Sequence, residues 1–251
     1  MNLHNKKNKD QLLLDLKNEN FDRITCSFYK YIQLKNLEKL RDDLYIEWNE
    51  LRILGRIYIA AEGINAQLSV PAHNWEKFID NLYSKTSLKD ITIKTAIEEG
   101  LSFYKLMVKI KNEIVAYKVP AKKFDMDKIG NHLNCGEFNQ AIDNGAIVVD
   151  MRNYYESEVG RFESAIIPDV ERSEELLPEI RRLLSGHEED KVLMYCTGGI
   201  RCEKASSYLI KQGFNDVNQL NGGIIQYAQE IKKQGIRSKF IGKNFVFDQR
   251  L

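Results

Sequence analysis

Residues 192–206, VLMYCTGGIRCEKAS, pass from an unbroken apolar run into a cysteine, two glycines, an arginine and a helix-forming segment. Continuous apolar runs of this length mark strands buried on both faces, and AIVVD at 146–150 is a second one. Around them, CGEFNQAIDNG (135–145) reads as a short helix closed by a glycine and RCEKASSYLIKQGF (201–214) as a longer helix. DVNQL (216–220) reads as a short strand ahead of Asn221-Gly222-Gly223. Buried strands alternating with helices predict a parallel sheet covered on both sides, in which ligands bind at the carboxyl ends of strands. Cys196 stands at such an end.

Toward the N-terminus the pattern changes. After a polar segment over 1–20, a short helix or a frayed end, ITCSFYKYI (24–32) has the β-branched and aromatic content of a strand. LEKLRDDLYIEWNEL (37–51) places Leu37, Leu40, Leu44, Trp48 and Leu51 at helical spacing, and Gly55 lies just beyond it. RIYIAAEGINAQLSV (56–70) predicts two strands joined through Glu62-Gly63-Ile64-Asn65, and Pro71 opens a second helix, PAHNWEKFIDNLYSK (71–85). ITIKTAI (91–97) and YKLMVKIKNEIVAYKV (104–119) read as extended. The order βαββαβ with extra β predicts a ferredoxin-like or acylphosphatase-like α+β sandwich. The expected organisation is a polar segment over 1–20, the α+β domain over 21–120, a linker without periodicity over 121–134, the α/β catalytic domain over 135–235 and a tail over 236–251.

A chain of 251 residues, 43% hydrophobic and 29% charged with four prolines, suffices for two ordinary domains and argues against long disorder. The net charge is +1, but the first 125 residues carry 21 Lys and Arg against 17 Asp and Glu, leaving the remainder at −3. That asymmetry permits a polyanionic partner for the first half, although differently decorated solvated faces produce it as well. No apolar run approaches the ~18 to 20 residues of a membrane span, and the Lys- and Asn-rich N-terminus lacks a signal-peptide core, so a cytoplasmic protein is expected. In that reducing compartment Cys26, Cys135, Cys196 and Cys202 are expected as free thiols, and the lack of a C-x-x-C pair gives a zinc site no support.

The loop Cys196-Thr197-Gly198-Gly199-Ile200-Arg201 has a chemical logic. Gly198 and Gly199 let the backbone turn inward so that N–H groups converge on one spot, and the following helix adds the positive end of its dipole there. Arg201 supplies a cation that cellular pH does not neutralise. All three favour thiolate over thiol, and such settings lower a cysteine pKa from ~8.5 to roughly 3.5–7.5. Cys196 is therefore expected to be an exposed, ionised nucleophile rather than a small buried hydrophobe at a tight turn. Cys202 either packs beneath the loop or resolves an oxidised Cys196. Cys26 and Cys135 lack a charged setting and read as structural.

The stretches VVDMRNYYESEVGRFESAI (148–166), YCTGGIRCEKASSYL (195–209) and LNGGIIQY (220–227) resemble a rhodanese-like domain. Together with AEGINAQL (61–68), FYKLMVKIKNEIVAYKVP (103–120) and the ending NFVFDQR (244–250), the chain resembles the bacterial tRNA uridine hydroxylases, formerly rhodanese-domain UPF proteins. The resemblance implies oxygen-dependent hydroxylation of the wobble uridine to 5-hydroxyuridine through a loop cysteine, here Cys196, acting with Arg201. It brings in molecular oxygen and an unidentified reductant, and a tRNA anticodon stem-loop as partner, with no DNA or membrane. Asp150 and Arg152 match the family's Asp-x-Arg element. Asp150 reads as support for the pocket, and Arg152 is left open between support and substrate phosphate. Relatives commonly carry a C-terminal extension with further cysteines, and functions lodged there are expected to be missing from a chain ending in FVFDQRL. Ala66 stands where relatives often have Gly, which a strand position tolerates.

With RNA as substrate, Lys105, Lys109, Lys118, Lys122 and Lys123 are candidate phosphate contacts, beside Lys111, and Phe103, Tyr104 and Tyr117 are candidate stacking residues. The alternative is that these lysines form a solvated strand face. Glu62, Gly63 and Asn65 are open between a tight turn and a site. His4, His73, His132 and His187 are spread along the chain, so no metal set and no cofactor fingerprint is evident. A thiolate adding to uracil C6 activates C5 toward oxygen. The competing reading is a sulfurtransferase carrying a persulfide on Cys196, and a third is a rhodanese fold kept only as a scaffold. Oligomeric state is not legible from the sequence.

Overall fold

The computed structural model describes residues 7–96 and 102–245, so the last residue of the 91–97 segment and most of the NFVFDQR ending lie outside the described residues. The chain divides into two compact units, one running to Ile114 and one beginning at Val115.

The first unit is built in the expected order. A helix α1 (Lys9–Lys17), started by the Asn8 side chain accepting from the Gln11 N–H at 2.9 Å, precedes β1 (Arg23–Tyr31), α2 (Leu37–Glu50), β2 (Leu54–Ala60), β3 (Gly63–Pro71), α3 (Trp75–Ser84), β4 (Lys94–Thr95) and β5 (Leu106–Ile110). The strands form one sheet in the order β4-β1-β3-β2-β5, antiparallel except for the parallel β2–β5 pair. Cys26, Phe28, Ile57, Ile59, Ile64, Ala66 and Leu68 point to one face and pack with Leu44 and Trp48 of α2 and Phe78 and Leu82 of α3. Ala66 sits mid-strand between Phe28 and Ile57, as its lack of a positive-φ requirement allows. Glu62 belongs to the β2–β3 turn, where its carboxylate accepts the Ile114 N–H at 2.9 Å.

One extended stretch is shorter than the sequence predicts. Only Leu106–Ile110 of 104–119 is a strand. The apolar alternation beyond it serves burial without pairing, since Val115 and Tyr117 pack into the core of the second unit.

The second unit holds a four-stranded parallel sheet ordered β6 (Asn131–Leu133), β10 (Asp216–Leu220), β9 (Lys191–Tyr195), β7 (Ile147–Asp150). Strand β6 falls inside the segment read as linker; three residues on a sheet edge, two of them exposed, show no periodicity in sequence. Between the strands lie α4 (Cys135–Asp143), α5 (Tyr154–Val159), β8 (Gly160–Phe162), α6 (Ser173–Leu183), α7 (Ile200–Lys211), α8 (Gly223–Gln234) and β11 (Phe240–Gly242), the last pairing antiparallel with β8. Val192 and Met194 face the side packed by α6 and α7, whereas Leu193 and Tyr195 face the side packed by α4 and α8. Burial of both faces is why β9 reads as an uninterrupted apolar run.

Candidate active site

Strand β9 ends at Tyr195 and α7 starts at Ile200, so Cys196, Thr197, Gly198 and Gly199 make the whole connection at the carboxyl end of the sheet. Gly199 has φ +98°, a left-handed conformation that a side chain would strain. That turn aims the Gly199 N–H at Cys196 Sγ, 3.1 Å away. Burial pushes the Cys196 thiol up, but the Cys202 thiol donating to it, the Arg201 charge and the N–H groups of Cys202 and Arg201 prevail and bring it down to about 5. Cys202 is raised well above the usual thiol range by its own burial and by the neighbouring Cys196. One sulfur is thus the thiolate and the other the thiol that solvates it.

These donors favour the thiolate, but the expected exposure is absent: Cys196 is 0% exposed. The sulfur belongs to the apolar cluster that includes Tyr117, Met151 and Cys202, and the first turn of α8 lies against the loop backbone, with the Ile224 N–H donating to the Cys196 carbonyl at 3.0 Å and the Ile225 N–H to that of Thr197 at 3.1 Å. Gly223, at φ +67°, permits this approach; a Cβ there would stand 2.5 Å from the Cys196 carbonyl oxygen. Among the loop residues, Thr197, Gly198 and Ile200 remain partly accessible.

Arg201 does not stand alone as a cation. Its guanidinium forms a two-pronged pair with Glu156, Nη1 to Oε1 at 2.6 Å and Nη2 to Oε2 at 3.0 Å, and also donates to Thr197 Oγ1 at 3.2 Å. The Glu156 carboxylate is fully buried and further accepts the Asn153 N–H at 3.1 Å, tying the Cys196 loop to the start of α5. The Tyr117 hydroxyl donates to the Arg201 carbonyl at 2.9 Å. Sequence reasoning missed Glu156: an acidic residue in a first helical turn is ordinary, and its partner is 45 residues away.

Asp150 and Arg152 are both fully buried and paired, Arg152 Nη2 to Asp150 Oδ2 at 2.7 Å. Asp150 also accepts from Ser157 Oγ at 2.7 Å and from the Tyr195 hydroxyl at 2.6 Å, while Arg152 donates to the Gly160 carbonyl at 2.6 Å. Burial disfavours the Arg152 charge, yet the Asp150 bonds outweigh it and hold the pKa above its ordinary value. This cluster braces β7, β8 and β9 below the loop. Arg152 has no exposed surface, and its pairing with Asp150 fits the supporting role.

Cys26 and Cys135 are buried, Cys26 pushed up by desolvation to about 12, as befits structural thiols. Lys105 and Lys109 are exposed in the first unit, and Lys118, Lys122 and Lys123 are exposed in the second, Lys118 paired with Glu174. Two of the expected stacking residues are buried, Phe103 with the Arg56 guanidinium over its ring and Tyr117 in the core of the second unit, whereas Tyr104 is partly exposed. Among the described residues no group of three His, Cys, Asp or Glu is placed to hold a metal ion, and no helix is long and apolar enough to cross a membrane.

A cysteine thiolate cradled by backbone N–H groups between a parallel strand and a helix defines a rhodanese-type domain, and residues 134–230 match the rhodanese-like domain family. Residues 23–114 match the UPF0176 acylphosphatase like domain. The chain belongs to the tRNA uridine(34) hydroxylase family. It is 54% identical, over 99% of its length and 68% of the relative, to the tRNA uridine(34) hydroxylase of Leptospira interrogans. It is 44% identical to that of Yersinia pestis and 42% identical to that of Photorhabdus laumondii, covering 71% and 72% of those chains.

Proposed function

We propose that this chain hydroxylates the wobble uridine in the anticodon loop of tRNA to 5-hydroxyuridine, with dioxygen as oxygen source and Cys196 as the reacting thiolate. The observation that carries the reading is the Cys196 cradle, found in a chain of this family. Acting on tRNA, the protein works in the cytoplasm.

The Cys196 thiolate adds to uracil C6, and the electron pair of the C5–C6 double bond moves to C5. C5 takes up dioxygen and a proton to become a hydroperoxide. A two-electron thiol reductant cleaves the O–O bond, leaving a C5 hydroxyl and releasing water. Loss of the C5 proton then expels the thiolate and restores the double bond. A low thiol pKa serves both ends of this sequence, because the same stabilised thiolate attacks and departs. Since Cys196 is covered, the packing around the loop must open before a uridine reaches the sulfur.

The test is deletion of the gene followed by complementation with wild type or Cys196→Ser, with 5-hydroxyuridine-derived nucleosides in digested tRNA read by mass spectrometry. Restoration by wild type alone is expected. Unchanged nucleosides in a strain without a second pathway would remove the assignment and leave persulfide transfer from Cys196. The C6 addition has its own check: tRNA carrying 5-fluorouridine should yield a covalent Cys196 adduct, and its absence counts against that step.

A further inference from the structure

The first sheet has a second face, turned away from α2 and α3, and its side chains follow from the strand register. Because successive residues alternate between faces, the neighbours of Phe28, Ile57, Ala66 and Val108 all point outward. One outward row crosses four strands as Tyr29, Asn65, Tyr58 and Lys109. The adjacent row runs Lys94, Ser27, Gln67, Arg56 and Met107.

The composition of this face is selective. None of the five strands carries an Asp or Glu, and Arg56, Lys94 and Lys109 stand in the two rows. A merely solvated surface mixes both signs, as α2 does where Lys39 pairs with Asp43. Here cations also sit beside aromatic rings: Lys94 Nζ lies 4.9 Å from the Tyr29 ring centroid and Lys111 Nζ 5.4 Å from that of Tyr58.

We propose that this face is a docking surface for unpaired RNA nucleotides, the loop of the tRNA substrate, with bases stacked on Tyr58 and Tyr29 and phosphates held by the flanking cations. The inference rests on the tRNA reading above and adds where the RNA binds. Flat phenol rings accept base faces whatever the sequence, and the Asn65 and Gln67 amides between them offer donors and acceptors to base edges. With strands ~4.8 Å apart, Tyr29 and Tyr58 are about 10 Å apart across β3, which suits splayed loop bases and not the tight stack of a duplex. The absence of carboxylates on the strands suits any polyanion, an acidic protein surface included, so the RNA probe is compared with polyglutamate.

Binding of an anticodon stem-loop RNA, of the same stem as a fully paired duplex, and of polyglutamate is measured by fluorescence anisotropy on the full chain. Wild type, Tyr58→Ala, Tyr58→Phe and Lys109→Glu are compared. Tyr58→Ala is expected to weaken stem-loop binding roughly 5- to 150-fold while Tyr58→Phe, which keeps the ring, stays near wild type. Lys109 is exposed, so Lys109→Glu tests the surface without threatening the fold, and it should weaken binding and flatten its salt dependence. The duplex and polyglutamate should bind weakly, and the Cys196 alkylation profile should not change in any variant. Full stem-loop affinity in both Tyr58→Ala and Lys109→Glu, with wild type still binding and hydroxylating tRNA, overturns the surface and leaves the tRNA reading intact. A wild type that neither binds nor hydroxylates tRNA overturns both.

Discussion

Cys196 combines two properties that oppose each other in most thiols, complete burial and a pKa of about 5. Burial alone drives a thiol upward, as Cys26 shows at about 12. The difference is the set of donors around the sulfur: the Gly199 N–H, the Cys202 thiol and the Arg201 charge. The thiolate absorbance that Cys196→Ser removes should therefore titrate near pH 5, and Arg201→Lys, which loses the two-pronged Glu156 geometry, should move it upward. The depressed value also has a consequence for stability. In the unfolded chain the thiol holds its proton up to ~8.5, whereas the folded one releases it near 5, so the contribution of Cys196 is complete above the unfolded value and is lost as pH falls through the folded one. Urea unfolding of wild type against Cys196→Ser should show a gap that widens from pH 5 to pH 8; a constant gap would show that the sulfur is neutral.

At the scale of elements, the loop is held from three sides. α8 closes it from above through Gly223, α5 grips Arg201 through Glu156, and the buried Asp150–Arg152 pair braces β7, β8 and β9 beneath it. Gly223→Ala places a carbon 2.5 Å from a carbonyl oxygen in a left-handed backbone, so α8 must retreat from the loop. We expect a loss of roughly 1–3 kcal/mol in stability, faster alkylation of Cys196 and little hydroxylation. Asp150→Asn leaves Arg152 buried without its counter-charge and should cost about 3–5 kcal/mol in urea unfolding, far more than an exposed pair such as Lys39–Asp43. A small effect at Asp150 would mean that the remaining hydrogen bonds to Arg152 suffice.

For the whole molecule, a net charge of +1 offers no general attraction to RNA, and any affinity must come from local arrangement. tRNA binding by the full chain should therefore fall linearly on a log–log plot against salt, with a slope of about −0.7 for each single-strand phosphate engaged. A salt-independent affinity would count against cationic docking. The charge asymmetry between the two halves permitted such a partner; of the candidate contacts Lys105 and Lys109 lie in the first unit and Lys118, Lys122 and Lys123 in the second, and of the candidate rings Phe103 and Tyr117 are buried.

What the sequence determined by itself was whatever depends on neighbours along the chain. The apolar runs of β7 and β9, the helical spacing of Leu40, Leu44 and Trp48, and the Cys-Thr-Gly-Gly-Ile-Arg loop all express local periodicity or local backbone demands. They were enough to read a two-part α/β chain with a thiolate at a strand end. Tertiary structure alone decided the burial of Cys196, the pairing of Arg201 with Glu156 and the row of Tyr29, Asn65, Tyr58 and Lys109. Each of these joins residues far apart in the chain. The exposure of a side chain, the partner of a charge and the register of a strand are set by packing, which a linear pattern does not contain.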